Sequence, residues 1–116
     1  MSEQAGHAHV LESCLAAPQR LDALVQYAND SIVSKTVLDK PVGTITLFAF
    51  DRGQKLSEHT APYDAVVQVV DGRGQVTIGG QAQEVVAGEI IIMPAHVPHA
   101  VDAVERFKML LTMIRA

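Results

Sequence analysis

Turn residues recur along this chain at short intervals, and this spacing limits the folds that it can adopt. After residue 20, clusters of Gly, Pro, Asp and Asn separate short runs rich in Val, Ile, Thr and Phe. The runs predict strands at 23–27, 31–38, 43–50, 65–70, 74–79, 82–86, 89–93, 99–103 and 106–114. Short strands spaced by about 8–12 residues are typical of an antiparallel sandwich or barrel. Strands do not alternate with helices, so a parallel sheet is not expected.

Composition and charge exclude several classes of function. The 116 residues suit one domain, and 48% of them are hydrophobic. The net charge is −4 and the basic residues are scattered singly, which argues against nucleic acid as a partner. Cys14 is the only cysteine, which fits a reducing compartment. Residues 1–10 lack signal-peptide features, and the apolar runs fall far short of the ~20 residues of a membrane span. We therefore expect a soluble, cytoplasmic protein.

The first twenty residues are predicted to form an N-terminal arm or short helix, and residues 21–116 the barrel. A helix is predicted over 8–17 and should end before Pro18. Its apolar stripe consists of Val10, Leu11, Cys14 and Leu15. A helix this short is marginal alone and must pack on the barrel or a partner chain. Cys14 is expected to pack rather than to react.

Two of the predicted strands are apolar on both faces. In the segments 66–70 and 90–93, both alternating faces are largely aliphatic, with Gln68 as the polar exception. A strand with one face in water would alternate polar and apolar residues, so both faces should be covered. In a single small barrel, only the arm or another subunit can cover the outer face. The pattern therefore predicts a homodimer.

The last predicted strand carries an apolar face that has two interpretations. This face consists of Phe107, Met109, Leu111 and Met113. Ordinary core packing is the first interpretation. The second is the apolar wall of a ligand pocket, because methionine suits adaptable binding surfaces.

Histidines supply the candidate polar chemistry. The chain contains His7, His9, His59, His96 and His99. His59 follows the turn at Gly53 and His99 follows the turn at 94–98, so both are expected at strand starts that converge at a barrel mouth. His7 and His9 form an H-x-H pair, but histidines in a terminal arm are usually solvated.

The spacing around His59 resembles the first motif of the cupin superfamily, G-(x)5-H-x-H-(x)3,4-E-(x)6-G. Gly53, His59 and Gly72 fall on this frame. Ala61 and Ala65 stand where the motif has its second histidine and its glutamate. The resemblance to this motif is therefore good in spacing and incomplete in ligands.

The spacing around His99 resembles the second cupin motif, G-(x)5-P-x-G-(x)2-H-(x)3-N. Gly88, Pro94 and His99 match it, whereas His96 replaces the glycine and Ala103 the asparagine. The 15 residues between the two motifs are similar to the spacer of small bacterial cupins. The resemblance implies an all-β fold, a single cupin jelly-roll barrel of the double-stranded β-helix kind.

The cofactor implied by the resemblance is a divalent transition metal. Metalloenzyme cupins hold iron, manganese, nickel or zinc with three histidines and a carboxylate. Here only His59 and His99 match, with His96 as a third candidate nitrogen, so any metal should be weakly held. Alternation from His59 turns Glu58 and Asp64 outward. The two histidines could instead hydrogen-bond each other, water or backbone, or bind a polar small molecule directly.

Two functions remain open at this point. The first is a binding module that takes a small organic molecule between His59, His96 and His99 and the apolar face of the last strand. The second is a metal-dependent enzyme of the isomerase, decarboxylase or dioxygenase type that uses His59 and His99. The fold alone does not decide between them, because this fold hosts many activities.

Overall fold

A computed structural model describes residues 9–116, and more than half of these residues lie in strands. The strands are β1 His9–Val10, β2 Ile32–Lys40, β3 Gly43–Phe50, β4 Lys55–His59, β5 Ala65–Ile78, β6 Gln81–Val86, β7 Ile90–Met93, β8 His99–Asp102 and β9 Phe107–Ile114. The helical elements of this part of the chain are two 3₁₀ turns, Glu12–Cys14 and Leu21–Ala23. Neither turn is long or apolar enough to cross a bilayer. The predicted all-β fold is confirmed.

Two antiparallel sheets share the strand β5. The first sheet has the order β1-β2-β3-β9-β5-β7, and the second has the order β6-β5-β8-β4. The N-terminal half of β5 pairs with β7 and β9, and its C-terminal half pairs with β6 and β8. The two sheets therefore meet along one continuous chain segment.

The prediction of separate strands at 65–70 and 74–79 is wrong, because β5 runs unbroken from Ala65 to Ile78 through Gly72 and Gly74. A register shift between Val69 and Asp71 bends the strand, and Gly72 has φ +69°. A Cβ on Gly74 would lie 2.6 Å from the ring of Phe107. The two glycines thus allow a bend and a close side-chain approach, which are the other common roles of glycine in a strand.

The barrel interior is filled by side chains from both sheets. Phe50 and Phe107 are fully buried and stack with their ring centroids 4.7 Å apart. Met109 is 1% exposed in the same cluster, and Leu111 packs against it partly buried. The core-packing interpretation of the last strand therefore holds for Phe107 and Met109. Contact of this face with a ligand stays a prediction.

The predicted helix over 8–17 is wrong for its described residues. His9 and Val10 pair with Asp39 and Leu38, and the backbone N–H of Leu11 donates to Val37. A single 3₁₀ turn follows at Glu12–Cys14. A helix this short is only marginally stable alone, whereas pairing with β2 provides hydrogen-bond partners for the backbone groups of this segment.

The predicted strand at 23–27 is also replaced, by a segment that crosses the outer face of the first sheet. We call residues 20–31 the strap. Val25 is 3% exposed in a cluster with Leu47 and Ala49, and Leu24 and Tyr27 pack against that cluster. The strap is held through side chains and not through a strand ladder, which explains why its hydrophobic pattern resembles that of a strand.

Polar contacts fasten the strap to the sheet. The buried Lys108 ammonium donates to the carbonyl oxygen of Asp22 and lies 4.8 Å from the centre of the Tyr27 ring. The Tyr27 hydroxyl donates to Asp71, and its burial together with this carboxylate raises the pKa of Tyr27. Attraction between an ammonium and an aromatic face adds to the hydrogen bond.

A second contact fixes the C-terminal end of the strap. The Arg106 guanidinium donates from Nε to Asp51 at 2.7 Å and from a terminal nitrogen to Asn29 at 3.0 Å. The hydrogen bond from Arg106, together with one from the backbone of Asp30, lowers the pKa of Asp51. The strap is therefore anchored at both ends.

The strap packs on the part of the outer face of the first sheet that carries Leu47 and Ala49. Nearer the other end of these strands, strand pairing aligns a row of residues across β2, β3, β9, β5 and β7. The row consists of Leu38, Ile45, Thr112, Val66 and Ile92. It contains no charged residue, and Ile92 is 56% exposed with Ile90 beside it 62% exposed.

We propose that a second copy of the chain covers this row. A two-fold contact places a surface against itself, so charges on the surface would repel their own copies. An uncharged aliphatic row avoids that repulsion and gains by leaving water.

We expect the protein to have twice its chain mass of 12.5 kDa by light scattering at micromolar concentration. Ile92→Lys should give the monomer mass, because it places an ammonium in each half of the proposed contact. Val104→Lys is the matched control, since Val104 is 46% exposed outside this row. A monomeric wild type, or an Ile92→Lys protein that remains a dimer, would refute the proposed contact.

Candidate functional site

The structure brings His59 and His99 into direct contact. Pairing of β4 with β8 places the two residues opposite each other, and their Nε2 atoms lie 3.1 Å apart. The ring centroids are 4.4 Å apart and the rings are tilted by 73°. This agrees with the expected convergence of the two motifs.

The strand that carries His59 was not predicted. His59 was expected at the start of a strand, but it is the last residue of β4, whereas His99 is the first residue of β8. Within β4 only Leu56 is a large apolar residue, and the strand is mostly exposed. A surface strand of polar residues lacks the β-branched pattern by which strands are recognised.

Backbone carbonyl groups fix the orientation of both rings. The Nδ1 atom of His59 lies 2.8 Å from the carbonyl oxygen of Ser57, and the Nδ1 atom of His99 lies 3.2 Å from that of Val97. In each case the carbonyl belongs to the residue two positions earlier. Sequence reasoning missed these two partners, because backbone contacts leave no mark on residue type.

The two histidines differ in burial. His99 is 3% exposed, whereas His59 is exposed. Burial lowers the pKa of His99 from 6.5, the neighbouring His59 lowers it further, and the Val97 carbonyl acts in the opposite direction. A buried imidazole with a lowered pKa is neutral near pH 7. The pair therefore has a buried neutral member and a member open to solvent.

Carboxylates do not complete the site. Asp64 accepts a hydrogen bond from the backbone of Ala95 at 2.8 Å, and Glu58 is exposed. Ala65 is 1% exposed and Ala61 is half-buried, so methyl groups stand where the cupin motif has its glutamate and second histidine. Across residues 9–116, no three His, Cys, Asp or Glu side chains are close enough together to hold a metal ion.

The donor set of the pair fits a metal ion in its spacing but not in the number of its donors. At usual metal–nitrogen distances of ~2.0–2.1 Å, two Nε2 atoms separated by 3.1 Å would subtend an angle of about 100° at the ion. That angle is acceptable, but resident catalytic metals take three or four protein donors. Two nitrogen atoms do not fit a resident metal of this kind.

His96 lies in the turn that precedes β8, and the structure does not join it to the pair as a third metal ligand. It is exposed, and its backbone N–H donates to Ala61 at 2.8 Å. It has φ +68°, a left-handed conformation that suits the glycine of the cupin motif. The turn therefore has the backbone conformation expected for the glycine of the second cupin motif, but His96 adopts it with steric strain.

The other predicted residues are distributed over the molecule. Phe107 and Met109 lie in the core, whereas Met113 lines a surface groove of about 310 Å³ beside the β2–β3 hairpin. His9 is exposed on β1 and lines a different groove with Lys35 and Asp39. His7 lies outside the described residues.

The pair lies apart from four grooves that the described residues line. None of these four contains His59 or His99. Because His59 is exposed and His99 is buried, the pair is open to solvent on the side of His59.

A comparison with known families identifies the fold. The family model of the cupin domain matches residues 46–114, which is more than half of the chain. The chain belongs to the cupin family. The matched region contains both motifs and both histidines of the pair.

Two proteins similar to this cupin are described without an activity. An uncharacterized protein from Streptomyces coelicolor is 32% identical over 82 residues, covering 69% of this chain and 77% of that protein. A crystal structure of a conserved protein of unknown function from Streptococcus pyogenes is 36% identical with a TM-score of 0.83, covering 87% and 89% of the two chains. A cupin 2 conserved barrel domain protein from Leptotrichia buccalis is 41% identical with a TM-score of 0.78, covering 80% of this chain and 45% of that one.

Replacing His96 with glycine tests the strain in the turn. His96→Gly should raise the free energy of unfolding by up to about 1 kcal/mol, because glycine adopts positive φ without a steric penalty. Ala95→Gly is the matched control and should lower it, because Ala95 is not among the residues with positive φ. Urea denaturation measures both. A less stable His96→Gly protein would contradict the interpretation of strain.

Proposed function

We propose that this cupin binds a small organic molecule at the mouth of its barrel and uses His59 and His99 as the polar anchor. The observation that carries the proposal is the contact between the two Nε2 atoms, with both Nδ1 atoms held by backbone carbonyls. Rings held in this way keep their orientation when a ligand arrives, which lowers the entropy cost of binding.

The missing ligands of the cupin motif support binding over metal chemistry. Ala61 and Ala65 replace a histidine and a glutamate and leave smaller side chains beside the pair. Without this histidine and this glutamate, a metal would lose two of the four protein ligands that the cupin motif provides. The two imidazoles can still form hydrogen bonds.

Burial supports a role for His99 in affinity. Hydrogen bonds made away from water are stronger than those in solvent, and an unpaired buried group costs about 1–3 kcal/mol. His99 is 3% exposed, so a ligand that pairs with its Nε2 atom gains from a protected contact. His59 is exposed and forms the entrance to that contact.

A fragment screen with thermal unfolding tests the binding function. A ligand of the folded state alone should stabilise it by about 2.7 kcal/mol at a hundred times its dissociation constant. The protein with both His59→Ala and His99→Ala should fold and lose the ligand-induced shift. His96→Ala is the matched control and should keep it. Equal shifts in the double variant and the wild type would place binding elsewhere and refute the proposal.

A metal-dependent enzyme of the isomerase, decarboxylase or dioxygenase type is the second candidate. The observation that favours it is the 3.1 Å separation of the two Nε2 atoms, which would let both nitrogen atoms hold one ion. With two protein donors, water or substrate would have to provide the remaining coordination. The binding function does not require an ion at this place.

Elemental analysis separates the two candidates. Protein purified without chelator and without nickel affinity resin should carry far less than one transition metal per chain, because two nitrogen donors hold a metal weakly. One tightly held metal per chain, lost in His59→Ala, would favour the enzyme and refute the binding module.

A further inference from the structure

We propose that the ligand of the His59–His99 pair is a hydrogen-bond donor, a molecule that presents hydroxyl or amine groups to the two Nε2 atoms. This inference rests on the proposed function and adds the chemical class of the ligand to it. Its basis is the set of hydrogen bonds around the two rings.

Backbone carbonyl groups determine which ring nitrogen atoms of the two histidines carry protons. A carbonyl oxygen only accepts hydrogen bonds, so an Nδ1 atom that bonds to a carbonyl must carry the proton. Both Nδ1 atoms have such a partner, Ser57 at 2.8 Å and Val97 at 3.2 Å. When both imidazoles are neutral, each has one N–H, so each Nε2 atom is left with a lone pair and no proton.

The contact between the two Nε2 atoms then brings two hydrogen-bond acceptors together. The two Nε2 atoms lie 3.1 Å apart, a distance usual for a hydrogen bond, but neither has a proton to donate when both rings are neutral. Two acceptors therefore face each other, and one of them belongs to a histidine that is 3% exposed. A buried acceptor without a donor is unfavourable, so the pair gains from any group that supplies one.

Two facing acceptors favour ligands that donate hydrogen bonds. A carboxylate, a ketone or an ether offers only acceptors and gains no hydrogen bond from either Nε2 atom. A hydroxyl group donates to one of them. A primary amine has more than one N–H on a single atom, and the short separation of 3.1 Å lets such an atom reach both acceptors. Hydroxyl and amine compounds should therefore bind in preference to acceptor-only compounds of the same shape.

Nitrogen-15 NMR of the full-length protein tests the ring protons directly. Spectra that correlate ring nitrogen atoms with ring C–H protons distinguish an N–H nitrogen from a lone-pair nitrogen in each histidine. In their neutral forms, both His59 and His99 should carry the proton on Nδ1. A proton on Nε2 of either ring would overturn the proposal, because that ring would then donate.

A matched pair of probes tests the ligand class. Cyclohexanol and cyclohexanone have nearly the same shape, but only the alcohol donates a hydrogen bond. The ring signals of His59 and His99 should move on titration with cyclohexanol, and cyclohexanone should bind about tenfold more weakly, the equivalent of one neutral hydrogen bond. Cyclohexylamine should behave as the alcohol does, and cyclohexanecarboxylate as the ketone does.

The outcomes separate the ligand class from the proposed function. Equal or tighter binding of the ketone or the carboxylate at the pair overturns the donor class and leaves the binding function standing. Ligands from the fragment screen that bind with undiminished affinity after both histidines are replaced refute the binding function at this site. The signals of His96 serve as the internal control, because a shift there alone would indicate contact at the turn and count against both.

Discussion

The barrel depends on a single strand that belongs to both sheets. The N-terminal half of β5 holds β7 and β9, and its C-terminal half holds β6 and β8. Gly74 leaves room for the ring of Phe107, which stacks on Phe50 in the centre of the core. Because β8 pairs with β5 and β4 pairs with β8, the contact between the two histidines is set by the same strand.

Much of this arrangement could be predicted from the spacing of a few residues. Gly53, His59, Gly88, Pro94 and His99 match the spacing of the two cupin motifs, and this resemblance predicted that the two histidines converge. The structure brings those histidines together, on a strand at His59 that was not predicted. The spacing carries this information through the resemblance to the cupin motifs, because β4 and β8 pair although β5, β6 and β7 separate them in the chain. The acceptor character of the pair could not be predicted in the same way, since it depends on backbone carbonyl groups that any residue possesses.

The failures of prediction have physical reasons at particular residues. The pattern of Val10 and Leu11 fits a helix, but pairing with β2 competes with helix formation in so short a segment. Gly72 and Gly74 resemble turn residues, yet here they serve a bend and a close approach within one strand. Val25 and Tyr27 resemble a strand because burial requires apolar residues whether or not the backbone joins a ladder.

The strap makes the folding unit larger than the region of family similarity. The family model matches residues 46–114, whereas the strap begins at residue 20 and β2 at Ile32. Without the strap, Leu47 would lose its cover, and Lys108 would lose the carbonyl group and the aromatic face that accompany its ammonium in the interior. A domain boundary placed at the limits of the family match would therefore remove the strap and expose the buried residues beneath it.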